Sequence, residues 1–245
     1  MWPVDAVLDS LYPRPCLACG AEEVGSPCPA CASLLRLRCV VERIEGLDGC
    51  WALAPYAGPV GARVSHAKRE GDREALRSLG RVLARRAHDL VAGSWFHAVV
   101  PVPSPWTRRM RRGFAPGHVL AAEVARCARL PLWSVLRVAP GRRQSALAPE
   151  QRLTNLQRRL RCRPLPEARV LLVDDVTTSG SSLAQCADRL RRAGAVGVWG
   201  LTLCDARRSP GSWAEDAASM LPRPRQVVTS GAIDTLERAP RRNHP

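Results

Sequence analysis

The most constraining feature of the chain is the thirteen-residue segment Val170–Ser182, in which an aliphatic run ends in two adjacent carboxylates, Asp174 and Asp175. Residues of the Thr, Ser and Gly types follow, and then the pattern of a helix begins. This order predicts a buried parallel strand with acidic groups at its carboxyl end. It also places hydroxyls and backbone N–H groups at a helix N-terminus, where a phosphate group binds well.

Strand and helix patterns alternate along the rest of the chain, which predicts an α/β fold with a mostly parallel sheet. Helical periodicity extends from about Gly58 to Ala92, where Asp72 is a predicted N-cap, and a further helix is predicted to start at Pro116. Ligands of such sheets bind at the carboxyl ends of the strands. The predicted strands and the last helix are Phe96–Val100, Leu132–Val138, Arg169–Val173, Val196–Leu203 and Ser181–Ala193.

Four cysteines near the N-terminus form two C-x-x-C pairs, Cys16 with Cys19 and Cys28 with Cys31, separated by eight residues. Each pair can form a tight knuckle, and two knuckles complete a tetrahedral site suited to structural Zn²⁺. A redox pair or ordinary thiols are the alternatives. A closed site of four thiolates leaves no open ligand position, so its predicted role is to fold a segment too short to build its own core.

The formal net charge of +15 predicts attraction to nucleic acid, anionic lipid or phosphorylated metabolites. All but one of the 37 basic residues are arginine, the exception being Lys68. A GC-rich genome would produce the same arginine bias, so both interpretations stay open. No apolar run is long enough to span a bilayer and no basic leader precedes one, which indicates a cytoplasmic protein.

The composition predicts three regions: a zinc-ribbon region over residues 1–50, an α/β domain over residues 51–207, and a basic, mostly disordered tail over residues 208–245. The segment from Ala139 to Leu160 is polar and rich in arginine, which is typical of a functional or disordered connection. A second basic segment, Arg108–Gly113, is predicted to form a loop. These patterns leave the oligomeric state open.

Carboxylates beside a hydroxyl-rich loop favour a sugar phosphate as the ligand of the Val170–Ser182 segment. Carboxylates accept hydrogen bonds from sugar hydroxyls and can hold Mg²⁺. Successive strand side chains point to opposite faces, but at a strand end, where the chain turns, both Asp174 and Asp175 are expected to reach one ligand. A Walker A loop would need a Gly-Lys-Ser/Thr sequence, which the chain lacks.

The segment Leu171–Ser182 resembles the phosphoribosyl pyrophosphate (PRPP) motif of type I phosphoribosyltransferases. The chain as a whole resembles the ComF family, which is associated with DNA uptake in naturally competent bacteria. The resemblance covers roughly residues 10–205 and departs from the family pattern at Ala115, where an asparagine is usual. It is carried by the four cysteines and by His66–Arg73, Pro101–Pro103, Arg112–Phe114, Gln144, Arg152, Asn155 and the PRPP motif.

The resemblance implies a role for each matching residue. Asp174 and Asp175 would hold the ribose hydroxyls of PRPP together with Mg²⁺, and Arg142 and Arg143 would neutralise the leaving pyrophosphate from a mobile catalytic loop. Arg108, Arg109 and Arg112 are further candidates for pyrophosphate or for DNA phosphates. The 5-phosphate would be held by Thr177, Thr178, Ser179, Gly180, Ser181 and Ser182, and the pyrophosphate loop would be Val102, Pro103 and Ser104.

Three functions are compatible with these residues. The first is an enzyme that transfers the 5-phosphoribosyl group of PRPP to an unknown acceptor and is linked to DNA uptake. The second is a non-catalytic PRPP sensor or DNA-binding accessory protein, with single-stranded DNA or the uptake machinery as partner. The third, a zinc-ribbon nucleic-acid binder with a purely structural α/β domain, does not account for the acidic phosphate loop.

Overall fold

A five-stranded sheet in the order β1-β2-β7-β6-β3 forms the centre of the molecule. The computed structural model describes residues 15–16, 18–21, 28–40, 44–91, 96–139 and 159–207. All neighbouring strands are parallel except β1 and β2, which confirms the predicted α/β fold with a mostly parallel sheet. The strands are β1 (Arg38–Cys39), β2 (Gly49–Pro55), β3 (Ala98–Pro101), β6 (Ala168–Thr177) and β7 (Ala195–Asp205).

Helices connect these strands, and two of them begin where the sequence predicts. Asp72 caps the third helix by accepting a hydrogen bond from the backbone N–H of Ala75 at 2.8 Å. Pro116 occupies the first turn of the sixth, where its missing N–H costs nothing. The helices are α1 (Pro29–Leu34), α2 (Pro59–Glu70), α3 (Arg73–Arg86), α4 (His88–Val91), α5 (Trp106–Arg112), α6 (Pro116–Ala128) and α7 (Ser181–Arg192).

Strand β6, which lies between β7 and β3 in the sheet, packs against helices on both of its faces. Leu171 and Val173 belong to the core that is closed by apolar residues of α2, α3 and α6. Val170 and Leu172 belong to the opposite core, which α7 closes. Since neither face of β6 meets water, its sequence is a continuous aliphatic run and does not alternate.

The strand that carries the acidic pair is longer than predicted. The expected end at Val173 is wrong, because β6 continues to pair with β7 through Asp174, opposite Thr202, and as far as Thr177, opposite Asp205. Aspartate is disfavoured in strands, but the length of β7 supplies hydrogen-bond partners that override this preference. Asp174 and Asp175 therefore lie among the last residues of a paired strand.

Two other predictions of local structure are wrong. The basic segment Arg108–Gly113, predicted as a loop, forms most of α5. The helix buries none of its residues, so it has no apolar periodicity by which it could be recognised. Leu132–Val138 is a strand only over β4 (Leu136–Val138), which pairs with β5 (Leu160–Cys162) in a separate antiparallel ribbon.

Several predicted features lie outside the described residues, namely Arg142, Arg143, Gln144, Arg152, Asn155 and the tail over residues 208–245. The predicted boundary between residues 50 and 51 falls inside β2. Within the described ranges, every helix is too short or too polar to cross a bilayer.

Candidate functional site

The carboxyl edge of the sheet brings together the ends of β3, β6 and β7. The backbone N–H of Val102, just after β3, donates to the carbonyl of Val173 at 2.9 Å, and that of Ala206, just after β7, donates to the carbonyl of Thr177 at 2.9 Å. The turn expected at the acidic pair is absent, because β6 stays extended to Thr177; Asp174 and Asp175 therefore project to opposite faces of the sheet, both at its carboxyl edge. The Asp174 side chain accepts a hydrogen bond from the backbone N–H of Asp175 at 2.8 Å.

The carboxylate of Asp175 forms an ion pair with Lys68, in the last turn of α2. Nζ of Lys68 lies 2.9 Å from Oδ2 of Asp175, and the two side chains are only 19% and 14% exposed. Lys68 was not among the predicted site residues, although it lies in the His66–Arg73 stretch. Its being the single lysine among 37 basic residues was the signal that could have singled it out.

The neighbouring carboxyl group, that of Asp174, has a strongly shifted pKa. Burial and the negative charge of Asp175 raise the pKa of Asp174 to about 8, against the opposing effects of the Asp175 N–H and of Lys68. With this pKa, Asp174 is mostly protonated at neutral pH. The pair then carries about one negative charge, which Lys68 balances.

The hydroxyl-rich loop after β6 leads into the N-terminus of α7. Gly180, the N-cap residue, adopts a left-handed conformation with φ of 76° and has no side chain with which to cap the helix, but the N–H of Ser181 donates to Oγ of Ser179 at 3.3 Å. A Cβ at Gly180 would lie 2.9 Å from a side-chain carbon of Ile44, so the loop is fitted closely to its neighbour. The hydroxyl groups of Ser179 and Ser181 are hydrogen-bonded to each other at 2.8 Å. The N-terminus of α7, with its partial positive charge, therefore lies beside the predicted phosphate loop.

The six residues predicted to hold the 5-phosphate differ in accessibility. Thr178 and Ser179 are exposed, and Ser181 and Ser182 are half-buried. Thr177 is only 2% exposed, and its hydroxyl finds no hydrogen-bond partner among the described residues. The exposed hydroxyls are therefore available to a ligand, whereas that of Thr177 lies beneath the loop.

The other side of the edge is formed by the predicted pyrophosphate loop and α6. A Cβ at Gly117 would lie 3.0 Å from the carbonyl oxygen of Val102 and 3.5 Å from Oδ1 of Asp174, so the first turn of α6 lies directly against both. Val102 is buried, and Pro103 and Ser104 are partly exposed. The predicted loop thus borders the acidic pair.

Arg112 adds a second cation to this side of the site. Arg112 is half-buried, and within the described part of the chain its Nε finds no hydrogen-bond partner. Burial and Arg108 lower the pKa of Arg112, while the charge of Asp175 opposes them. Arg112 therefore lies within electrostatic reach of Asp175.

The four N-terminal cysteines form a cluster whose geometry suits Zn²⁺. The sulfur atoms of Cys16, Cys19, Cys28 and Cys31 all lie within 4.8 Å of one another, and those of Cys19 and Cys28 are 3.8 Å apart. Four sulfurs at ~2.3 Å from a tetrahedral ion would be separated by about 3.8 Å, so the donor set fits the metal.

Backbone N–H groups favour the thiolate of Cys16, whereas burial raises the pKa of Cys19 and that of Cys31. The N–H of Cys28 donates to the sulfur of Cys16 at 3.2 Å, and that of Ala21 donates to the sulfur of Cys19 at 3.5 Å. Burial raises the pKa of Cys16, but hydrogen bonds from backbone N–H groups outweigh it and leave that pKa at about 6. The turn also needs Gly20, whose φ is 83°.

The cysteine cluster shares its core with the α/β domain. Cys16 and Cys31 pack in the same buried cluster as Leu53 of β2 and Val64 of α2. A Cβ at Gly20 would lie 3.2 Å from the guanidinium of Arg63, also on α2. The helix that holds Lys68 at the candidate site is therefore packed against the cysteine knuckles.

Sequence comparison finds relatives of this chain among characterised proteins. Competence protein F of Haemophilus influenzae is 31% identical over 160 residues, which are 60% of this chain and 69% of the relative. The DNA utilization protein YhgH of Escherichia coli K12 is 30% identical over 162 residues, which are 62% of this chain and 70% of the relative. No protein-family model matches the chain.

Structure comparison finds phosphoribosyltransferases among the solved structures, with low similarity to this chain in fold and in sequence. The orotate phosphoribosyltransferase of Aeropyrum pernix has a TM-score of 0.36 and 23% identity, covering 60% of this chain and 68% of the enzyme. The purine phosphoribosyltransferase of Pyrococcus horikoshii has a TM-score of 0.33 and 13% identity, covering 58% and 94%. At these TM-scores, neither enzyme indicates which reaction this chain performs.

Proposed function

The chain belongs to the ComF family, and we propose that the carboxyl edge of its sheet binds Mg²⁺-PRPP and transfers the 5-phosphoribosyl group to an acceptor, in a protein linked to DNA uptake. The observation that carries the proposal is the ion-paired Asp175, which precedes a hydroxyl-rich loop at the N-terminus of α7. This combination offers acceptors for sugar hydroxyls and donors for phosphate within one edge.

The substrate groups would be divided among the elements of the edge. Asp174 and Asp175 accept hydrogen bonds from the ribose hydroxyls, and the loop over Thr177–Ser182 holds the 5-phosphate at the start of α7. The Val102–Ser104 turn, with Arg112 beside it, holds the pyrophosphate. Oxygen donors of the acidic pair suit Mg²⁺, which would neutralise the phosphate oxygens when bound with PRPP.

The proposed reaction makes a bond from the anomeric carbon of the ribose to the acceptor and breaks the bond from that carbon to pyrophosphate. Pyrophosphate leaves with the electron pair, so negative charge grows on the leaving group. Arg112, together with Arg142 and Arg143 outside the described residues, would stabilise that charge. The protein contributes mainly by orienting the substrates and by fixed positive charge.

Titration calorimetry with Mg²⁺-PRPP tests the binding step. We expect Asp175→Asn to weaken binding by about 100-fold, because a charged acceptor of ribose hydroxyls and its coupling to Lys68 are both lost. Asp188→Asn, which removes an exposed carboxylate on α7, is the matched control and should bind like the wild type. Absence of binding in the wild type, or equal affinity in both variants, would refute the proposed site.

A screen of acceptors tests the transfer step. Pyrophosphate release is measured with Mg²⁺-PRPP and a panel of nucleobases and amines, and release with one of them establishes the enzyme and its acceptor class. The second candidate function is a non-catalytic PRPP sensor or DNA-binding accessory protein, which the names of the two relatives favour because both concern competence or DNA use. PRPP binding without pyrophosphate release from any acceptor would support it.

A further inference from the structure

Helix α5, which borders the candidate site, keeps its apolar side chains in water. Residues Trp106–Arg111 are all exposed, and the helix has no buried residue. Trp106 is 58% and Met110 is 64% exposed, and Val196 is the other large hydrophobic residue exposed in the described ranges. Trp106 and Met110 form the larger patch, and a patch of this kind marks a contact surface.

The two apolar side chains share one face of α5. Trp106 and Met110 are four residues apart, so they lie one above the other along the helix. Arg109 and Arg111 are displaced to the two sides of this stripe, at about 100° per residue. Arg112 is half-buried and within electrostatic reach of Asp175, so the helix directs one side to the candidate site and another to solvent.

The arginines of this helix keep their charge available. Arg108, Arg109 and Arg111 form no ion pair within the described ranges, whereas arginines of α3 and α7 are paired with acidic residues. The positive charge extends to α3, since Arg73 and Arg109 add to burial in lowering the pKa of His118. An anionic partner would therefore meet uncompensated charge on both sides of the aromatic ring.

We propose that the α5 platform, which consists of Trp106, Met110, Arg109 and Arg111, binds single-stranded DNA. An exposed aromatic ring between arginines is the combination that recognises unpaired strands, because bases stack on the ring while phosphates contact the guanidinium groups. In a duplex, the faces of the bases are covered by their neighbours, so the platform favours single strands. The choice of DNA as the nucleic acid rests on the proposed function.

Binding of a labelled oligothymidylate, followed by fluorescence anisotropy, tests this surface. We expect Trp106→Ala to weaken the affinity about tenfold and Trp106→Phe to retain most of it, because a phenyl ring still stacks. Arg111→Ala should make the slope of log K against log salt shallower by about 0.7. Arg85→Ala removes an exposed arginine at the far end of α3 and should leave affinity and slope almost unchanged.

The outcomes separate this inference from the proposed function. Mg²⁺-PRPP binding is measured on the same proteins, and Trp106→Ala should bind it like the wild type. Equal oligothymidylate affinity of wild type and Trp106→Ala, tighter binding of duplex or RNA than of single-stranded DNA, or no binding by the wild type overturns the α5 platform. If the wild type does not bind Mg²⁺-PRPP but Trp106→Ala still weakens oligothymidylate binding, only the PRPP site is refuted.

Discussion

The cysteine cluster and the acidic edge of the sheet both gather groups that bind cations, but they are built differently. All four sulfur ligands come from one stretch of chain, Cys16–Cys31, and lie within 4.8 Å of one another. The acidic edge instead combines the ends of three strands, the loops that follow them and four helices, α2, α5, α6 and α7. It also contains its own cations, since Lys68 reaches Asp175 at 2.9 Å and Arg112 lies near.

The difference teaches what each region can bind. Four thiolates around one point would use every ligand position of Zn²⁺, so a cluster that held the ion would act through stability. The acidic edge already holds cations beside its carboxyl groups and presents hydroxyls at a helix N-terminus. Such a site favours an anion that also brings hydroxyls, and its groups must rearrange their charge when the ligand binds.

The largest expected effect concerns the cluster. Cys31→Ser should lower the free energy of unfolding by at least about 5 kcal/mol, because one of four zinc ligands is lost from a position with no exposed surface. Since the cluster shares a core with α2, the α/β domain should melt with it. Thermal unfolding and zinc content, with and without a chelator, provide the measurement.

The matched control is Cys127→Ser, which alters a partly exposed thiol outside the cluster. This variant should retain one zinc ion per chain and the wild-type melting temperature. A metal-free wild type that melts at the same temperature as the zinc-bound protein would show that the two regions do not differ in the stated way.

The next effect concerns the ion pair at the acidic edge. A double-mutant cycle of Lys68→Met and Asp175→Asn should give a coupling free energy of about 1–3 kcal/mol, since both side chains are largely removed from water. Urea unfolding of the four proteins measures it. The Arg192–Asp188 pair, whose side chains are 71% and 47% exposed, is the control and should couple by less than about 0.5 kcal/mol. Similar coupling in both pairs would contradict the buried character of the Lys68 pair.

The smallest effect is a pH dependence of PRPP binding. Because the pKa of Asp174 is raised to about 8, its carboxyl group holds a proton at neutral pH. Bound Mg²⁺ would favour the ionised form of this group. Binding should then release up to one proton, and affinity should rise by at most about tenfold per pH unit below pH 8. Calorimetry in buffers of different ionisation enthalpy measures the release.

Asp174→Asn removes the titrating group without adding charge, so the variant should show no proton release and a flat profile between pH 6.5 and 8. A slope that persists in this variant would assign the proton to another group. A flat profile in the wild type would show that the carboxyl of Asp174 is ionised before binding.

Local features of the site were predictable because short-range chemistry determines them. The spacing of the cysteines is enough to bring two knuckles to one metal, and the structure brings the four sulfurs together. Asp72 and Pro116 begin helices because their own backbone and side-chain groups satisfy the first turn. The aliphatic run before Asp174 indicates a strand buried on both faces, which β6 is.

The features that the sequence did not predict depend on contacts between distant segments. Lys68 is more than a hundred positions from Asp175, and only the packing of α2 beside β6 joins them. The extension of β6 to Thr177 depends on the length of β7, which outweighs the preference of aspartate for loops. Helix α5 escaped detection because it packs no face against the core.

The amino-acid order thus determined the chemistry that the molecule carries: four thiols at metal spacing, an acidic pair after a buried strand, a hydroxyl-rich loop and a surplus of arginine. The tertiary structure decided which of these groups act together. It paired one carboxylate with the single lysine, left its neighbour able to hold a proton, buried the hydroxyl of Thr177 and exposed Trp106. The reason is physical, since charge and burial act through space and depend on which elements pack side by side.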